Sequence, residues 1–141
     1  MAKLERLVYG STATGHTDNL LNMATILAES GRNNARDGLT GALAAHEGRF
    51  IQVIEGSSDA IDALLRRLAT DPRHKDIVIF GRDLVEQRLF GDWVMANARI
   101  TPGLKSVLDG MMSQQAPSAD HVVTLMQDAV VQMDDGGDAE R

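Results

Sequence analysis

The chain has 141 residues, with 14 Lys and Arg against 20 Asp and Glu, and no cysteine. That length suits one domain with a real core and excludes two full domains, and the missing thiols exclude disulfides, thiolate metal sites, iron–sulfur clusters and cysteine nucleophiles. The net charge of −6 argues against a general nucleic-acid binder, whose affinity rests on phosphate contacts, and no apolar run approaches the ~20 residues of a membrane span.

The expected setting is therefore cytoplasmic, with no nucleic-acid or membrane partner. Charge is unevenly spread: residues 1–102 carry 12 basic and 13 acidic side chains, whereas residues 103–141 carry two basic and seven acidic. This divides the chain into a balanced body over 1–102, a helical extension over 103–133 and an acidic tail over 134–141 expected to be disordered.

Leu4 to Tyr9 is a short apolar segment that predicts a first strand ending at Gly10, with Leu7, Tyr9 and Ser11 on one side. A polar loop follows, then Thr17-Asp18 as a helix cap, with Leu20, Met23, Ala24 and Leu27 at helical spacing until Ser30-Gly31 stops them. Leu39 to Ala45 and Arg49 to Glu55 flank His46-Glu47-Gly48 as a hairpin. Ser57 or Ser58 caps a second helix, in which Ile61, Leu64, Leu65 and Leu68 form one stripe, ending before Asp71-Pro72. Ile77 to Phe80 predicts a fourth strand and Trp93 to Arg99 a fifth. Two further helices are expected, one from Leu104 to Met112 and one capped by Ser118 or Asp120. The fold class is α+β: a ferredoxin-like β-α-β-β-α-β unit with an additional fifth strand and a C-terminal helical extension. In that topology the first and third strands lie side by side and both helices of the unit cover one face.

Alternation along the third strand puts Gln52 beside Phe50 and Ile54 on the helix-covered side, while Ile51, Val53 and Glu55 face the other way. A buried amide without partners costs about 1–3 kcal/mol, so Gln52 must have defined ones. Tyr9, the lone tyrosine, sits on the apolar parity of the neighbouring strand. A structural Tyr–Gln hydrogen bond and a ligand site both fit this pattern. The run Gly31-Arg-Asn-Asn-Ala-Arg36-Asp-Gly38 is dense in amide and guanidinium donors suited to a planar, acceptor-rich ligand, and equally reads as a helix C-cap and turn.

Gly10 to Thr17, GSTATGHT, is similar to the phosphate-cradling GxxxxGK[ST] loop, but His16 replaces the lysine that reaches the phosphates. The four histidines lie at no metal-ligand spacing, and no Ser/His/Asp pattern supports hydrolysis. Trp93 and Met95 share a parity on the last strand, next to the tail.

Taken together, Leu7-Val-Tyr9-Gly-Ser11, Asn33-Asn34-Ala-Arg36-Asp-Gly38-Leu-Thr-Gly41, Gly48-Arg-Phe-Ile-Gln52-Val-Ile-Glu55-Gly56, Asp71-Pro-Arg-His74 and Asp92-Trp93-Val-Met95 resemble the BLUF family, blue-light sensors that use FAD. The resemblance implies a flavin, with FAD first and FMN or riboflavin possible in the same pocket, held between the two helices. It implies that Tyr9 donates the photochemical electron and proton, and that Gln52 bridges Tyr9 to the flavin N5/O4 edge. Asn34 would anchor the O4/N3 edge, Arg36 would lie near O2, and Ser30, Phe50 and His74 would line the pocket. Trp93 and Met95 would be the switch pair passing the change to the tail. The chain then is a non-enzymatic photoreceptor whose output goes to a separate effector protein or through a homo-oligomer. The alternatives are a light-independent ferredoxin-like ligand or protein-interaction module, and nucleotide hydrolysis at the Gly10 to Thr17 loop.

Overall fold

The computed structural model describes residues 3–13, 31–46, 49–70, 74–91, 96–98, 100–110 and 118–138. Five strands form one sheet: β1 (Leu4–Ala13), β2 (Thr40–His46), β3 (Arg49–Ser57), β4 (His74–Leu84) and β5 (Ala96–Asn97), in the order β4-β1-β3-β2-β5. The first four pair antiparallel, and β5 adds to β2 in parallel at one edge. This is the ferredoxin-like arrangement with β1 and β3 adjacent. The helices among the described residues are α1 (residues 31–37), α2 (Ser58–Thr70), α3 (Pro102–Gly110) and α4 (Ala119–Asp138).

Side-chain alternation along β1 and β3 loads both faces of the sheet with apolar groups, so both must be covered. On one face Leu7, Tyr9 and Ile54 pack with Leu39 and with Ile61 and Leu68 of α2. On the other, Val8, Ala42, Ala44, Ile51 and Val53 pack with Leu104 and Leu108 of α3 and with Val122, Met126 and Val130 of α4. The residues that composition sets apart beyond Thr101-Pro102-Gly103 thus form the second helical layer. Each C-terminal helix starts at a hydroxyl cap. Thr101 Oγ1 accepts from the Leu104 amide at 3.2 Å, and Ser118 Oγ accepts from the His121 amide at 3.2 Å. Two glycines let these helices approach closely: a Cβ on Gly81 of β4 would stand 2.7 Å from the Ala119 Cβ, and one on Gly103 would stand 2.8 Å from a Leu125 methyl.

Several boundaries differ from the sequence expectations: β4, expected over Ile77 to Phe80, runs over His74–Leu84, and three further differences have a physical cause. β1 continues past Gly10 to Ala13, because β3 and β4 pair with it there through Gly10↔Ile51, Ser11↔Phe50 and Gly10↔Val78; ladder bonds from two sides outweigh the local preference of glycine for a turn. Residues 31–37 are helical, where the sequence expects a stop at Ser30-Gly31, since the end of this helix is set by a later glycine, as shown below. Finally, α4 extends to Asp138, through the first part of the stretch over 134–141 expected to be disordered. Extending an existing helix by one residue fixes few dihedrals per hydrogen bond gained, which offsets the poor propensity of Asp and Gly there. The expected helix residues over 17–30 lie outside the described residues.

Candidate functional site

The register of β1 against β3 sets Tyr9 directly opposite Gln52. Opposed residues of an antiparallel pair project to the same face with Cβ atoms about 5 Å apart. That face is the one covered by α2 and Leu39. Tyr9 is 1% exposed and Gln52 7%. Ser11, two residues along β1, and Phe50, its partner across the ladder, are both buried as well. Tyr9 and Gln52 are therefore buried neighbours on adjacent strands held by continuous pairing from Leu4↔Ser57 to Thr12↔Arg49.

Asn34 is buried as well, 1% exposed. Its position follows from how α1 ends. Gly38 takes a left-handed φ of 71°, and the Leu39 amide donates to the Asn34 carbonyl at 2.8 Å. This is the six-to-one bond of a Schellman cap, with the buried Leu39 supplying its usual apolar contact. Only glycine adopts that φ without strain, so Gly38 fixes the last turn and with it the rotation that turns the Asn34 side chain inward. Arg36, two residues on, projects about 200° further round the helix. It is exposed, and its Nε donates to Asp37 Oδ1 at 2.9 Å. That hydrogen bond holds the Asp37 carboxyl below the usual aspartate range and the Arg36 guanidinium above its own. Arg67 of α2 adds a second cation on Asp37 Oδ2 at 3.1 Å. The donor-rich run thus splits: Asn34 goes in and Arg36 stays at the rim.

The structure brings Tyr9, Gln52, Phe50 and Asn34 into the buried layer and leaves Arg36 outside it. His74 begins β4, paired with Ala13. Ser30, Trp93 and Met95 lie outside the described residues. The phosphate-loop resemblance loses its geometry, because residues 10–13 are extended strand, whereas a cradle needs its amides converging from a loop. An open cleft of about 420 Å³ does exist, but Lys3, Glu5, Ser58 and Leu84 line it at the opposite end of β1 from Tyr9.

Four charged residues escaped the sequence reading, and all lie outside the amide–phenol pair. Glu55 is fully buried. Its carboxylate accepts from Arg6 Nε at 2.7 Å and from the Leu89 and Phe90 amides at 2.9 and 2.8 Å. Arg88 donates to the Gly38 and Glu55 carbonyls at 2.9 and 3.0 Å and to Thr40 Oγ1 at 2.7 Å. Arg49 bonds the last carbonyls of α3. One signal was present in the sequence: Glu55 shares the parity of Ile51 and Val53, so a carboxylate on an apolar stripe had to be paired.

The donor set suits the imide edge of an isoalloxazine, since carboxamides donate and accept side by side. Residues 4–96 match the family described as sensors of blue-light using FAD, BLUF. The chain belongs to the BLUF family. BLUF domains are flavin-based blue-light sensors, and FAD is the cofactor this family uses. The chain is 31% identical over 134 residues to the photoactivated adenylate cyclase subunit beta of Euglena gracilis, a match covering 91% of this chain and 15% of that protein. It therefore spans about one-seventh of that relative's length. Among solved structures, the BLUF protein BlrB in its dark state superposes with a TM-score of 0.72 at 27% identity, covering 94% of this chain and 98% of that one. A bacterial light-regulated adenylyl cyclase gives a TM-score of 0.69 at 27% identity, over 90% of this chain and 40% of that one.

Among the described residues no helix is long and apolar enough to cross a membrane, and no group of three or more His, Asp or Glu side chains stands where it could hold a metal ion.

Proposed function

We propose that this BLUF domain senses light through Tyr9 and Gln52 and passes the change through its C-terminal helices to a separate effector. The observation that carries this is the buried Tyr9↔Gln52 register pair beneath α2. A bound flavin supplies visible absorption and, once excited, a strong electron acceptor. Tyr9 is the one phenol in the chain; as its ring gives up an electron, its Oη proton becomes strongly acidic and would pass to the carboxamide oxygen of Gln52 opposite, and both return when the pair relaxes. Gln52 carries a donor at Nε2 and an acceptor at Oε1, so a half-turn or a tautomer change exchanges its hydrogen-bond partners within the same space. Asn34 holds the polar ring edge, and Ser30, Phe50 and His74 line the pocket. For Arg36 to reach the ring it has to exchange its bond to Asp37, which makes it a rim contact.

Trp93 and Met95, ahead of β5, carry the rearranged hydrogen bonding towards α3. An effector is supported by relatives in which the matched region is a small part of a photoactivated cyclase subunit; that it lies on another chain here is part of the proposal. Such a switch requires an element with different contacts in the two states.

The test is a visible spectrum before and after blue illumination. The purified protein is expected to be yellow and to show a reversible red shift of the flavin band, as the rearranged amide donates more strongly to the ring carbonyl. Tyr9→Phe keeps the packing and removes the transferable proton, so it abolishes the normal shift. A full shift in that variant overturns the role of Tyr9, and a colourless protein that takes up no added FAD overturns the whole reading.

A further inference from the structure

Strand β3 has two working faces. Gln52 projects to the α2 side, and by alternation Arg49, Ile51, Val53 and Glu55 project to the side of α3 and α4. Arg49 is the first residue of β3 and stands three positions from Gln52. Its Nη1 donates to the Leu108 carbonyl at 3.2 Å and to the Asp109 carbonyl at 2.9 Å. Those carbonyls lie in the last described turn of α3, and the final carbonyls of a helix are the ones that take donors from outside it. A guanidinium there also meets the negative end of the helix dipole. Lys105 and Asp109 brace the same turn from outside at 3.0 Å. One strand therefore bears the photoreactive amide on one face and a two-point grip on α3 on the other.

We infer that Arg49 is a positioning residue that couples Gln52 to the C-terminal helix pair, so that a shift of β3 on illumination is transmitted to the end of α3. This rests on the light-sensing reading above. The grip suits transmission for two reasons. Both bonds come from a single planar nitrogen, so a small slide of the strand lengthens one and shortens the other. The groups gripped are backbone carbonyls, so the load falls on the helix itself, and α3 in turn packs on α4 through Gly103 and Leu125.

The test compares the full chain, loaded with FAD, with its Arg49→Met and Arg49→Lys variants. Two quantities are read on each: the flavin red shift, and amide hydrogen exchange of the α3 peptide in the dark and in the light. In the unmutated protein the red shift is expected together with a light-induced change in exchange at the end of α3. Arg49→Met is expected to keep the red shift and to lose the light-minus-dark difference, with α3 exchanging about tenfold faster in both states once its charged hydrogen bonds are gone. Arg49→Lys keeps the cation without the planar two-point donor and is expected to restore part of the difference. A purely structural Arg49 would raise exchange in dark and light alike and leave the difference intact, and that result overturns the coupling. A normal red shift with no light-induced change at α3 in the unmutated protein overturns it too, while leaving the sensing reading standing. Absence of any red shift in the unmutated protein overturns both.

Discussion

Glu55→Ala removes the acceptor of three donors at once, one buried and two part-buried. The carboxylate is fully buried, Arg6 is only 16% exposed and Phe90 is buried, so the guanidinium and the Phe90 amide have little access to water in exchange, whereas the Leu89 amide, on an exposed residue, can be rehydrated. Breaking a buried ion pair from one side costs about 3–5 kcal/mol, and each stranded amide has a desolvation cost of about 1–3 kcal/mol where nothing replaces its partner. Partial rescue by water brings the expected loss to about 4 kcal/mol, a large share of the roughly 5–15 kcal/mol by which a domain of this kind is stable. Urea unfolding followed by far-UV circular dichroism measures it, and the melting temperature should fall by roughly 10–15 °C. Glu55→Gln keeps the shape and one acceptor oxygen but loses the charge, so it should lose about half as much. Adding Arg6→Met to Glu55→Ala should cost less than the sum of the two single changes, because the pair is already broken. A loss below about 1 kcal/mol for Glu55→Ala, with an unchanged m-value, would refute this account of the carboxylate as the anchor of the 88–90 segment.

Asn34→Ala spares the helix cap, which uses the Asn34 backbone carbonyl; stability should change by only about 1 kcal/mol while the flavin content per chain, read from the absorbance ratio, drops. Unaltered flavin content would remove Asn34 from the pocket. Gly81→Val drives side-chain atoms into Ala119 at the start of α4, an overpacking cost of about 1–3 kcal/mol that should appear as faster hydrogen exchange along α4, with the β1–β3 amides unaffected. Asp37 is held below the usual aspartate range by its bond to Arg36. Its stabilising contribution is therefore present above the unfolded value, near pH ~4, and is lost as the pH falls through the lower folded value. In an acid titration of stability, Asp37→Asn should flatten the curve below about pH 4 and leave it unchanged in slope near neutrality.

Much of the site was legible before any coordinates, for a local reason. Whether Tyr9 and Gln52 lie on the buried parity of their strands depends only on alternation with Leu7 and Ile54 a residue or two away. The same holds for the stripe of α2 and for the hydroxyl cap at Ser118. The donor-rich run was harder. Its composition fits both a cap and a ligand site, and the structure shows the cap: Gly38 ends the helix, while Asn34 is buried. Gly31 looked like the stop because a glycine after a serine resembles a helix end, yet the terminus is decided by which glycine adopts the left-handed φ that lets Leu39 bury itself.

Sequence by itself determined the buried parity of β1 and β3 and the apolar face of α2, because these follow from spacings of two to four residues. Tertiary structure alone decided that Tyr9 stands opposite Gln52, that β1 stays extended through Gly10, that the C-terminal helices close the second face of the sheet, and that Arg49 and Glu55 grip segments 34–60 residues further along the chain. Register and long-range ion pairs depend on groups brought together only when both faces of the sheet are buried at once, and no local period encodes that.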